Sequence, residues 1–177
     1  MQHDAPDPNK GRLQGRIQRV SIEGFRSIAK VENLVLPQLT VLIGANGAGK
    51  SNLIRFFEML AWMLRGQNLQ DFIARNGFGD DQLYMGAKRT PRLNGEIRVE
   101  THRGFNDYRF GLAHISAGDT LIFVDEAYRY SDRKKVGEAK WTVLPSGGKE
   151  AALVETAAKN QTAQVVVSLL KRCTTYQ

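Results

Sequence analysis

The sequence predicts an α/β fold in which a strand–loop–helix core is joined to an antiparallel β-subdomain. Three observations predict it. Leu39-Thr40-Val41-Leu42-Ile43 is a short, largely apolar run, the pattern of a strand covered on both faces. Gly44-Ala45-Asn46-Gly47-Ala48-Gly49 follows at once, and Ser51 to Arg65 is then apolar around most of a helical circumference. Between about residues 93 and 144 the period changes to two, with turn signals at Asn94-Gly95, Arg103-Gly104 and Ala117-Gly118-Asp119.

The elements follow in order. Residues 1–15 hold Pro6, Pro8, Gly11 and Gly15 among polar residues and are expected to be a flexible tail, with the folded unit over residues 16–177. Ile17, Val20 and Ile22 alternate loosely, and a second extended run from Val31 to Leu36 stops at Pro37. In the helix, Leu53, Ile54, Phe56, Phe57, Leu60 and Leu64 point to burial, Arg55, Glu58 and Arg65 form a thin polar stripe, and Gly66 is the stop. Asn68 to Arg75 suits a short second helix. Ile97–Glu100, Tyr108–Leu112 and Thr120–Val124 read as a β-meander, with Trp141–Leu144 as one more strand. Residues 150–177 turn helical again, with Leu153, Val154 and Ala157 on one side and a last helix starting near Thr162.

Composition bounds the classes. A chain of 177 residues is long enough to bury a core without staples, and 42% hydrophobic with 24% charged residues excludes disorder throughout. No apolar stretch approaches the ~18 residues of a membrane helix, and the opening residues lack the apolar centre of an export signal. A single cysteine, Cys173, excludes an internal disulfide and fits a reducing, cytoplasmic setting. His3, His102 and His114 have no metal-ligand spacing. The net charge of +7 permits contact with nucleic acid without establishing it. Two basic groupings stand out, Lys88-Arg89 with Arg92, and Arg129 with Arg133-Lys134-Lys135. Solvated loops are the favoured reading of both.

The chemistry concentrates in one place. Gly44, Ala45, Asn46, Gly47, Ala48, Gly49, Lys50 and Ser51 match G-x-x-x-x-G-K-[ST] at every defined position, between a strand and a helix as the motif requires. Glycines let successive N–H groups converge on phosphate oxygens, and the helix start adds its positive dipole end. Lys50 is then placed to reach the outer phosphates of ATP, and the Ser51 hydroxyl to ligate Mg2+.

With Gly24-Phe25-Arg26-Ser27 before it, Asn52 after it and Phe56-Phe57 in the helix, this stretch resembles the amino-terminal half of P-loop ATPase heads related to the RecF, SMC and OLD proteins. It looks most like the bacterial "predicted ATPase" group often described as AAA-type, and the likeness extends over residues 16–177. The resemblance implies ATP and Mg2+ as cofactors, Asn46 near the γ-phosphate, Asn52 near the α-phosphate, and Arg26 and Ser27 beside the nucleotide. For Arg26 a solvated strand-end arginine is an equal reading. It also implies DNA-related work in repair or phage defence, and a homodimer or a second lobe as partner.

Such ATPases also need an acid behind the metal and a carboxylate that positions water. Leu121-Ile122-Phe123-Val124-Asp125-Glu126 is the local candidate, which would make Asp125 and Glu126 the catalytic acids. No signature segment precedes it and the alternation continues past it, so solvated meander residues are the favoured reading. The resembling ATPases run considerably further, and the expectation is an incomplete fold: an amino-terminal lobe that hydrolyses ATP slowly alone. A non-hydrolysing nucleotide-binding module that needs a partner lobe, or a small P-loop kinase, are the alternatives.

Overall fold

The computed structural model describes residues 14–66, 69–135 and 139–173. The expected tail lies outside them except at Gln14 and Gly15, the latter already beginning a strand. The expectations for His3 and residues 174–177 lie outside them too.

Alternation of apolar and polar residues makes the strands two-faced, and short turns join neighbours antiparallel. Strands β1 (Gly15–Phe25) and β2 (Ile28–Val35) form the first hairpin. Arg26 at φ 50° and Gly24 at φ 74° supply the left-handed backbone at the reversal. Strands β3 (Arg92–Thr101), β4 (Gly104–Ile115), β5 (Thr120–Asp132) and β6 (Thr142–Val143) form the expected meander, except that Asn94-Gly95, expected as a turn, lies within β3 and pairs with Gly111 and Phe110. All six belong to one antiparallel sheet in the order β2-β1-β3-β4-β5-β6, with Val20 opposite Ile97 and Tyr108 opposite both Ile97 and Tyr128. Strand β1 pairs with β3 although residues 26–91 lie between them in sequence. That pairing is set by register and burial and not by any local signal.

The inner face of the sheet carries Val20, Ile22, Leu93, Ile97, Tyr108, Phe110 and Phe123, all buried. Helix α1 (Lys50–Leu64) lies against it through Phe56, Met59, Leu60 and Met63. Ile54, expected among its buried residues, is instead exposed, because it falls on the side of the helix turned away from the sheet. Gly95 on β3 makes room for the helix: a Cβ there would fall 2.6 Å from the Phe110 ring and 2.9 Å from the Phe56 ring. Phe56 stacks on Phe110 at 6.2 Å and meets Phe25 edge-on at 5.6 Å. Helices α2 (Leu69–Arg75), α3 (Ala152–Thr156) and α4 (Gln161–Leu170) complete this layer, with the Asn160 side chain capping α4 by accepting from the Ala163 N–H. No helix of the described residues is long and apolar enough to cross a membrane.

On the outer face the Asp107 carboxylate is buried between Arg98 (2.6 Å) and Arg129 (2.8 Å). Arg129 and Arg109 both lie against Trp141, at 4.3 and 4.4 Å from its ring centre. The basic groupings expected to be solvated loops are therefore divided. Arg129 is held in the sheet and Arg92 pairs with Asp125, whereas Lys134 and Lys135 are exposed.

One expectation fails outright. Leu39–Ile43 forms no strand and is not buried: Leu39 is 81% and Ile43 92% exposed. An apolar run becomes a buried strand only where neighbours pair with its backbone and cover both faces. Among the described residues every sheet pairing is antiparallel and none reaches residues 39–43. The core expected as strand–loop–helix is thus a loop–helix unit docked on an antiparallel sheet.

Candidate functional site

The glycine-rich segment reverses into α1 as its composition requires. Gly47 and Gly49 have φ of 85° and 87°, a region that L side chains rarely adopt. The Ala48 N–H donates to the Ala45 carbonyl at 3.2 Å, and the Leu53 N–H closes the first helical bond to Gly49 at 3.0 Å. This leaves the N–H groups of Lys50, Ser51 and Asn52 at the open end of the helix, which has no acidic residue in its first turn.

Lys50 extends back over the loop and its Nζ donates to the carbonyls of Gly44 (2.5 Å) and Ala45 (2.7 Å). Among the described residues no carboxylate pairs with it. Asn52 Nδ2 donates to Ser27 Oγ at 2.7 Å, which ties the β1–β2 turn to the helix start. A groove of about 460 Å3 runs beside the loop, lined by Ser27, Ile28, Val41, Ile43, Gly49 and Lys50. Free helical N–H groups, a cation held only by backbone carbonyls and a hydroxyl at Ser51 together form a donor set that fits a polyphosphate with its metal.

Of the residues singled out in the sequence, Gly44 to Asn52 and Ser27 come together here. The Arg26 side chain does not turn to the loop, nor is it a solvated strand-end arginine. It bonds Gln82 Oε1 (3.1 and 3.0 Å) and the Asn76 carbonyl (2.5 Å), and burial, with Arg55 nearby, lowers its pKa. Gln82 is itself fully buried and donates to the carbonyls of Asn76, Gly77 and Phe78. Nothing in the local sequence marks Gln82 as the brace of Arg26.

Asp125 and Glu126 sit in mid-strand on opposite faces of β5. Asp125 pairs with Arg92 at 2.5 Å on the outer face. Glu126 is not solvated, as a meander residue was expected to be, but fully buried. Its carboxylate accepts from the Tyr108 hydroxyl (2.8 Å) and from the N–H groups of Ala152 (2.8 Å) and Leu153 (3.0 Å) at the start of α3. Burial raises its pKa, against the opposing effect of those bonds. Among the described residues no group of three or more His, Cys, Asp or Glu side chains is placed to hold a metal.

Comparison with known proteins adds the family. The model of the family described as "AAA domain, putative AbiEii toxin, Type IV TA system" matches residues 39–152. The chromosome partition protein Smc of Cereibacter sphaeroides is 32% identical over 111 residues, 62% of this chain and 9% of that protein. The Smc protein of Mycolicibacterium paratuberculosis is 28% identical over 116 residues, 64% of this chain and 9% of that protein. The DNA replication and repair protein RecF of Anaeromyxobacter dehalogenans is 29% identical over 167 residues, covering 78% of this chain and 45% of RecF. The chain therefore spans less than half the length of each of these relatives.

Proposed function

The chain belongs to that AAA-domain family, within the RecF/SMC-like P-loop ATPases, and from this premise we propose that residues 44–52 bind ATP with Mg2+ to drive DNA-related work. The observation that carries the reading is the start of α1, where open N–H groups and the Lys50 ammonium converge without a competing carboxylate among the described residues. Lys50 exchanges two loop carbonyls for phosphate oxygens, and Ser51 offers its hydroxyl to the metal. Bound Mg2+ supplies charge neutralisation at the phosphates. The names of the relatives, chromosome partition and DNA replication and repair, support the DNA setting, and the single cysteine supports a cytoplasmic one.

Hydrolysis by these residues alone is slow in this reading. Asp125 is engaged by Arg92 and Glu126 by Tyr108 and α3, so neither is free to position water. The same observation favours a second reading, a nucleotide-binding module that hydrolyses only with a partner. The exposed apolar run Leu39–Ile43 beside the loop is the place for that partner, which would add a strand along it.

Calorimetry with Mg-ATP tests the assignment. Lys50→Ala is expected to weaken binding by about tenfold or more, or about 1.4 kcal/mol. Equal affinity in wild type and variant overturns it.

A further inference from the structure

The outer face of the sheet holds a pocket of about 590 Å3, within the size range of small-molecule sites. Ser21, Glu23, Asn33, Asn94, Glu96 and Arg109 are among its walls. Helix α1 packs on the opposite face, so the pocket is separate from the core that seats the glycine-rich loop.

The charges of this pocket do not close on one another. Around it, Arg92 pairs with Asp125, Arg98 and Arg129 share Asp107, and Arg16 and Arg133 share Glu100. Arg109 has no carboxylate partner among the described residues. Its Nε is the one buried side-chain polar atom of those residues that lacks a hydrogen bond. A buried donor left unmet costs free energy, and a ligand acceptor relieves it. Trp141 lies against the guanidinium at 4.4 Å, which holds it in place without neutralising it. Glu96 stands directly across from Arg109 in the β3–β4 register, yet no ion pair joins them. Arg98, the next cation along β3, is taken by Asp107. Glu23 accepts only from Asn94, at 3.3 Å, and Lys30 is held by Glu32.

One guanidinium and two carboxylates remain, and together they select the ligand. A simple anion meets Glu23 and Glu96, and a simple cation meets Arg109, so a single charge of either sign is opposed. Residues directly opposite on paired strands have Cβ atoms about 5 Å apart, so the two charges of the ligand must also lie close together. The two ends of an extended peptide are too far apart for that. We propose that this pocket binds the zwitterionic head of a free α-amino acid, its carboxylate on Arg109 and its ammonium on Glu96 and Glu23. The proposal does not rest on the nucleotide reading.

Thermal melting of the full chain with each standard L-amino acid, at about 10 mM, tests it, because a ligand of the folded state raises the midpoint. The amino acid with the largest shift is then titrated by calorimetry beside two analogues, the amine without the carboxylate and the acid without the amine. Arg109→Gln and Glu96→Gln are each expected to weaken binding of the amino acid by about tenfold. Loss of the carboxylate is expected to weaken binding to wild type about tenfold and to leave Arg109→Gln unaffected. Loss of the ammonium is expected to do the same for wild type and to leave Glu96→Gln unaffected. A merely structural role for either residue would not move these two ratios. Melting shows whether Arg109→Gln is folded, and Glu96→Gln carries the test if it is not. The absence of a shift with every amino acid, equal affinity in the folded variants, or analogues that bind wild type as tightly as the amino acid overturns the proposal.

Discussion

The inner face of the sheet and the segment before the glycine-rich loop are built from the same residue types and end in opposite surroundings. Val20, Ile97 and Leu112 are fully buried, whereas Leu39 and Ile43 stand in solvent. The difference lies in pairing. Each inner-face residue sits in a strand with neighbours, and α1 packs into the same core. Residues 39–43 have an apolar sequence but no strand beside them among the described residues. Hydrophobicity supplies the tendency to be covered, and hydrogen-bonded neighbours decide whether it is met.

The largest expected effect falls on the covered region. Phe56→Ala empties the space between Phe25, Phe110 and Gly95, and is expected to cost about 3–5 kcal/mol in denaturant unfolding. A loss below about 1 kcal/mol would show that α1 is not seated there.

Asp107→Ala strands Arg98 and Arg129 and is expected to cost about 3 kcal/mol. Burial works to raise the Asp107 pKa, but the bonds and charges of the two arginines outweigh it and hold it below its ordinary value of 3.8. A carboxylate depressed in the folded state stabilises above its unfolded pKa. That stability is lost as pH falls from about 4 through the depressed value. Acid unfolding of wild type is therefore expected to be steeper than that of Asp107→Ala.

Glu126→Gln turns an N–H donor toward the α3 amides and is expected to cost about 1–3 kcal/mol while leaving nucleotide turnover unchanged. Loss of turnover with unchanged stability would make Glu126 a catalytic acid. The smallest effect belongs to the uncovered segment. Ile43→Ser is expected to change stability by less than about 0.5 kcal/mol, while reducing concentration-dependent association in light scattering. Destabilisation above that level would show that the segment is packed in solution.

What could be read in the sequence was local. The G-x-x-x-x-G-K-[ST] spacing, the α1 face and the meander each depend on residues close in the chain, and each is present. The joining of β1 to β3, the salt bridges of Asp107 with Arg98 and Arg129, and the Gln82 brace depend on partners that meet only once strands pair, where no spacing rule applies. Asp125-Glu126 shows the same limit on a smaller scale. Two adjacent acids after an apolar run look alike in sequence, but the pleat sends one to Arg92 and the other to Tyr108.

The Phe56 contact also fixes where α1 sits along the sheet. The helix has 15 residues and a length of about 22 Å. Seated over Gly95 and buried on both sides of Phe56, from Leu53 to Leu64, it cannot slide along the sheet without unseating the ring. Lys50 lies about 9 Å to one side and Leu64 about 12 Å to the other. Just past that end, Arg65 donates to the carbonyls of Lys171 (2.5 Å) and Cys173 (2.9 Å), beyond the last turn of α4. One rigid helix thus joins the glycine-rich loop at its start to the close of α4 just past its end.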